Sequence, residues 1–185
     1  PVRVAAMTID TPGFEKLLVC SVHLKCCGTV DGPEDMTRIA EILAMRRAIA
    51  EAEHVIDHHS LIIGGDLNLV GGQLPLQLLI NDGTALVNPA GEPQDLVVAN
   101  AYQPDNSGSQ TWQKSGQTFS PGRLDYIVYS PSLQATRALV FDTLDLPESA
   151  LASMNLMRTD CGRASDHLPV IVDLIPNAGN HDPNP

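Results

Sequence analysis

The sequence predicts a single α/β domain, and three observations carry that prediction. Apolar runs of strand length, bounded by turn residues, fall at 2–9, 16–25, from 61, at 124–129 and at 168–175. One long stretch, about Glu34 to His58, has helical rather than alternating spacing. The chain of 185 residues is 43% hydrophobic and shows no internal repeat, which gives room for one real core. That domain is expected over 1–175, with 176–185 as a polar, proline-rich tail.

Residues 2–9 (VRVAAMTI) alternate well enough for a strand, and Thr11-Pro12-Gly13 marks a turn. Lys16 to Lys25 (KLLVCSVHLK) supplies a second strand, so the opening reads as a hairpin. Cys26 to Pro33 is a loop, and the long helix follows. Glu34 and Asp35 stand in its first turn, where carboxylates complement the helix dipole. Met36, Ile39, Ala40, Leu43 and Ala44 recur at helical spacing and define its expected buried face. His54 and His58 lie four apart and can in principle share a metal, but histidines near a helix C-terminus are favourable on dipole grounds alone.

Leu61 opens the central strand, LIIGGDLN, in which three branched apolar residues suit burial and two glycines permit a close backbone approach. Val70 to Gln110 is loop-rich, with a short helix at Leu74 to Asn81 and a short element at Asp95 to Tyr102. QTWQKSGQTFS at 110–120 reads as strand and loop, its Trp112 and Phe119 either lining a pocket or joining the core. LDYIVY at 124–129 is a strand, and Pro131 to Leu139 a connection to Val140-Phe141. Residues 142–163 have weak periodicity and read as a long loop over a site, before the last strand LPVIVDLI at 168–175.

Net charge is −11, with a sequence pI near 4.7. That argues against sequence-blind adhesion to nucleic acid, which needs clustered Lys and Arg. It leaves room for catalysis on a phosphoester, because a bound divalent cation supplies local positive charge. No apolar run approaches the roughly 18 residues of a membrane helix. The chain opens at Pro1 with neither Met nor a signal-like segment, as a trimmed product would. No pair of its four cysteines has CxxC spacing, which speaks against a zinc knuckle. Cys20 lies in an apolar strand, while a bridge from Cys26 or Cys27 to Cys161 would point to an oxidising compartment, secreted or periplasmic.

Four short stretches place polar side chains at strand ends: Val22-His23-Leu24, Gly65-Asp66-Leu67-Asn68, Arg123-Leu124-Asp125-Tyr126 and Ser165-Asp166-His167-Leu168. Asp66 and Asn68, two apart on an extended chain, share a face and offer hard oxygens that suit Mg²⁺ or Ca²⁺. Equally, they can cap a turn after the strand. Phosphoester hydrolysis needs a cation for the oxygens, a base for the water and donors for the developing charge, and this set has candidates for each.

The segments SVHL at 21–24, GGDLN at 64–68, RLDYI at 123–127 and SDHLPV at 165–170 resemble, in the same order, the endonuclease/exonuclease/phosphatase superfamily of DNase I-like metal-dependent phosphoesterases. The resemblance runs from about residue 15 to residue 175. It implies a four-layer α/β sandwich of two packed, mainly antiparallel sheets flanked by helices. It also implies roles. His167 would be the general base or the group polarising the attacking water, Asp125 its orienting partner, and Asp66 a group that orients the nucleophile or binds metal. Asn68 would contact phosphate and hold Asp66. Asp166 would be a metal ligand, and His23 a donor to a phosphate oxygen. The implied cofactor is Mg²⁺, or Mn²⁺ or Ca²⁺.

The family usually begins with a strand carrying an Asn and a strand carrying a metal-binding Glu, and neither has a counterpart here. Glu15 and Glu34 are poor substitutes, one in a turn and one opening a helix. The resemblance therefore implies absent N-terminal strands and an open sheet edge. Three explanations fit: a fragment from cleavage or cloning, a chain paired with a separate N-terminal piece or a second copy, or a reduced variant that makes a metal site from what is left, the first and last being preferred. The expected function is metal-dependent hydrolysis of a nucleic acid or small phosphoester by direct water attack. The alternatives are a catalytically inactive fragment or binding module of the same fold, and a sphingomyelinase-type lipid phosphodiesterase.

Overall fold

A computed structural model describes residues 3–14, 16–53, 56, 60–81, 86–87, 93–114, 116 and 119–177. The opening hairpin forms as expected: β1 (Val4–Ile9) pairs antiparallel with β2 (Leu17–His23). Helix α1 (Pro33–Glu53) then carries the chain back, so that β3 (Ser60–Asp66) pairs parallel with β2. After α2 (Leu74–Ile80) come short strands β4 (Leu86–Val87), β5 (Pro93–Gln94) and β6 (Val97–Val98), then β7 (Asp125–Tyr129). The main sheet has the order β1-β2-β3-β7-β6.

On one face of that sheet, Leu18, Cys20, Val22, Leu61 and Ile63 pack against Ile42, Met45 and Ile49 of α1 and Leu79 of α2. On the other face, Val19, Ile62, Ile127 and Tyr129 meet a second, two-stranded sheet through Ala135, Ala138, Val172 and Leu174. That sheet pairs β8 (Leu133–Val140) with β9 (Val170–Pro176). Strands β2 and β3 are buried on both faces, which is why their sequences run apolar instead of alternating.

Several expectations are corrected. Residues 133–140 form a full strand rather than a connection. Residues 142–163 hold a 3₁₀ turn at Thr143–Asp145, α3 (Glu148–Ser153) and α4 (Asp160–Ala164) in place of a long loop. The buried face of α1 is Asp35, Arg38, Ile42, Met45, Arg46 and Ile49, whereas Met36 is 59% exposed and Ala40 and Ala44 are exposed. An ion pair explains the rotated stripe. Arg38 Nη2 lies 2.8 Å from Asp35 Oδ1, so charged residues occupy positions that apolar periodicity assigns outward.

The bridge from Cys26 or Cys27 to Cys161 is not formed. Cys161 is buried with Sγ near Phe141 O, whereas Cys26 and Cys27 are exposed, their sulfurs 2.7 Å apart. His54, His58, Glu15 and the tail from 178 lie outside the described residues. No helix among the described residues is long and apolar enough to cross a membrane.

Candidate active site

Strand register builds the site. His23 stands opposite Asp66 across β2 and β3, and Asp66 opposite Asp125 across β3 and β7. Three polar side chains from three strands therefore share one row at one end of the sheet. Gly65 makes the close approach possible. Its φ is +147°, and a Cβ there would strike the carbonyl of Val22 on β2.

His167 joins this row from the stretch before β9. Its Nδ1 lies 2.8 Å from Asp125 Oδ2. The ionised carboxylate accepts from Nδ1–H, which fixes the tautomer and leaves Nε2 as the basic nitrogen. Asp125 is held in turn by Thr111, a fully buried residue. Its hydroxyl donates to Asp125 Oδ2 at 2.7 Å and accepts from the backbone N–H groups of Leu124 and Asp125. Ser165 Oγ accepts from the His167 backbone N–H at 2.9 Å. Ser165 opens the SDHLPV segment that the sequence singles out, whereas Thr111 carries no such signal.

Asp66 is fixed by Asn68, whose backbone N–H donates to Oδ1 at 2.8 Å and whose Nδ2 donates to Oδ2 at 2.9 Å. Nδ2 of Asn68 also donates to Leu24 O, so the buried carboxamide ties the end of β3 to the end of β2. Asn68 takes φ +50°, a left-handed conformation that Asn tolerates. Burial pushes the Asp66 carboxyl above the ordinary aspartate range. The Asn68 N–H and the two histidines pull the other way, and the nearby Asp125 charge adds to the rise. His23 Nε2 is 3.6 Å from Asp66 Oδ2, on the exposed rim.

The loops behind this row are pinned by the Asp35–Arg38 pair. Arg38 donates through Nη1 to Lys25 O and Cys27 O, in the loop after β2. Asp35 Oδ2 accepts from the N–H of Gly72, in the loop after β3, and of Asp31. Burial alone would raise Asp35, but those N–H donors and the Arg38 guanidinium hold it below its usual value. A Cβ on Gly71 would sit 2.6 Å from both carboxylate oxygens, so the loop closes tightly over the pair.

Ligand atoms of Asp66, Asp125 and His167 all lie within 4.8 Å of one another. With Asp125 and His167 joined to each other, the Asp66 carboxylate, whose charge burial opposes, is the hard-oxygen donor of this group that fits a divalent cation. Asp166 is not brought into this group. Its Oδ2 lies 3.3 Å from Lys114 Nζ and accepts from Trp112 Nε1 at 3.3 Å. Lys114 is the main reason its carboxyl sits below the ordinary range. Trp112 thus serves the site from its half-buried position, whereas Phe119 is 48% exposed. A groove of about 380 Å³ runs beside the row, lined by Gly64, Gly65, Asp125, Tyr126, His167 and Pro169 among others.

The profile of the Endonuclease/Exonuclease/phosphatase family matches residues 3–167. No curated protein matches the chain by sequence. Among solved structures, the mannosyl-6-phosphatase of Bacteroides thetaiotaomicron is similar at 19% identity and TM-score 0.55, covering 89% of this chain and 52% of that one. The human Nocturnin catalytic domain with bound sulfate anion is similar at 17% identity and TM-score 0.57, covering 94% and 52%. D. rerio TDP2 complexed with single strand DNA product is similar at 17% identity and TM-score 0.53, covering 92% and 60%. These likenesses show the fold, a DNase I-like α/β sandwich. The chain spans about half the length of the first and second of these structures, 52% in each case.

Proposed function

The chain belongs to the endonuclease/exonuclease/phosphatase family, and from that premise we propose that it is a divalent-metal-dependent phosphoester hydrolase acting by direct water attack. The observation that carries this reading is the 2.8 Å contact between Asp125 Oδ2 and His167 Nδ1, set beside the Asp66 carboxylate. His167 Nε2 takes the proton as the water oxygen bonds to phosphorus and the bond to the leaving oxygen breaks. Asp125 holds the ring in the productive tautomer and stabilises the imidazolium. Asp66, positioned by Asn68, is the carboxylate offered to the ion, Mg²⁺, Mn²⁺ or Ca²⁺. When bound, such an ion neutralises phosphoryl oxygens. His23 on the rim donates to a phosphate oxygen. Asp166, paired with Lys114, stays outside that ligand set.

The test is hydrolysis of bis-p-nitrophenyl phosphate and p-nitrophenyl phosphate with Mg²⁺, Mn²⁺ or EDTA. We expect metal-dependent release that falls by about 10²–10⁴-fold in His167→Ala and in Asp125→Ala, with folding retained. Wild-type turnover in either variant would overturn the assigned mechanism. No release with any metal would favour a non-catalytic module of the same fold.

A further inference from the structure

On the far side of Asp166 from the catalytic row lies a cavity of about 700 Å³. Asp166 and His167 are consecutive, and their side chains take different partners. His167 turns to Asp125, and Asp166 turns to Lys114 and the cavity wall. Trp112 spans both, its backbone bridged to His167 and its indole N–H on Asp166. The cavity is thus coupled to the reacting centre through two adjacent residues and one tryptophan.

Its polar lining includes Gln113, Lys114, Arg163, Asp142 and Asp166. Both carboxylates already have donors. Asp142 Oδ1 accepts from the Leu144 N–H, and Asp166 accepts from Trp112 and lies against Lys114. The donors are less used. Lys114 has three N–H groups, and Asp166 is its one ionic partner among the described residues. The exposed Arg163 guanidinium has no partner among the described residues. Arg163 lies in the last turn of α4, a helix of five residues whose dipole is too short to account for it. The whole chain has 11 Lys and Arg against 22 Asp and Glu, whereas this lining balances two cations against two carboxylates that already have donors.

We propose that this cavity is a second anion subsite, in which Arg163, Lys114 and the Gln113 amide receive a phosphate of the substrate other than the one hydrolysed. The inference rests on the phosphoester reading above and narrows it to substrates with at least two phosphate groups. The extra phosphate is either a terminal monoester on a small substrate or a neighbouring diester of a nucleic-acid strand. Both present the same oxygens to the same donors.

Three chromogenic substrates separate the sources: thymidine 5′-p-nitrophenyl phosphate, the same compound with a 3′-phosphate, and the same group on a short DNA strand. Wild type and Arg163→Gln are compared under one metal condition. We expect KM to rise about tenfold in Arg163→Gln for a substrate with the extra phosphate, as loss of one charge-assisted hydrogen bond implies. Its kcat, and both constants for the substrate without that phosphate, stay unchanged. A response to the 3′-monoester alone identifies a terminal phosphate, and a response to the strand alone identifies a backbone diester. Equal effects on all three substrates, or none on any, overturn the subsite.

Inorganic phosphate titrated with phosphorus NMR detection gives a readout independent of turnover. Wild type should show one more phosphate site than Arg163→Gln, and His167→Ala should keep that site. If nothing is hydrolysed but this site is lost in Arg163→Gln, the phosphatase or nuclease chemistry fails while the anion subsite stands. Equal phosphate binding in wild type and Arg163→Gln refutes it.

Discussion

Asp66 is a site residue whose charge burial opposes. Burial and the Asp125 carboxylate raise its titration above the ordinary aspartate value. For a carboxyl raised in the folded state the sign is as follows. The ionised form weakens the fold at pH above the folded value, and the penalty disappears as pH falls through it. A cation bound there offsets the penalty only while Asp66 is ionised. We therefore expect Mg²⁺ to raise the melting temperature at neutral pH, by an amount equivalent to about 2.7 kcal/mol at a hundredfold excess over its dissociation constant. The gain should shrink as pH falls through the raised Asp66 range and vanish in Asp66→Asn. A scanning fluorimetry series in which Asp66→Asn shifts as far as wild type would remove Asp66 from the ligand set. His23, Asp66, Asp125 and His167 were legible in the sequence because each borders an apolar run, the first two at its end and the last two at its start. The aim of Asp166 and the role of Thr111 were not, because both depend on the distant 111–114 segment folding back against them.

At the scale of elements, α1 shows how a buried ion pair hides a helix face from pattern reading. Arg38 is 0% exposed, and its donors reach Asp35 and two loop carbonyls. Arg38→Met would leave Asp35 as a buried unpaired charge and orphan the carbonyls of Lys25 and Cys27. Chemical denaturation should record a loss of about 3–5 kcal/mol, and Arg38→Lys should recover only part of it. A loss within experimental error of zero would mean that the loops after β2 and β3 hold themselves. Strands β2, β3, β7 and β9 were legible because each carries a run of apolar residues, interrupted only by Ser21 in β2 and Asp173 in β9. Strand β8 was not, since Gln134, Thr136 and Arg137 are exposed and a register shift falls between Ala135 and Arg137. Helices α3 and α4, of six and five residues, are too short to show a period.

At the scale of the molecule, β1 is an edge strand among the described residues. β1 ends the main sheet with Met7 63% and Val4 37% exposed, and β9 presents Ile171 and Ile175 at 42% and 44%. Such an edge templates further strand pairing. Light scattering at about 0.15 M salt, where the −11 charge is screened, should give a dimer mass that reverts to monomer in Met7→Lys. A monomer mass for the wild type would count against pairing through β1. The layered architecture was legible through the resemblance of the four segments to a known family, whereas the sheets' extent was not, because pairing partners are chosen in three dimensions. The register row of His23, Asp66 and Asp125 also has a kinetic meaning. Each member arrives on a different strand, and none of those pairings is local in the chain. Helix α1 can form early on its own propensity, but no fragment of the row exists before the loops close. In refolding, recovery of the catalytic cluster should therefore trail the helical signal and keep pace with the slowest strand to dock.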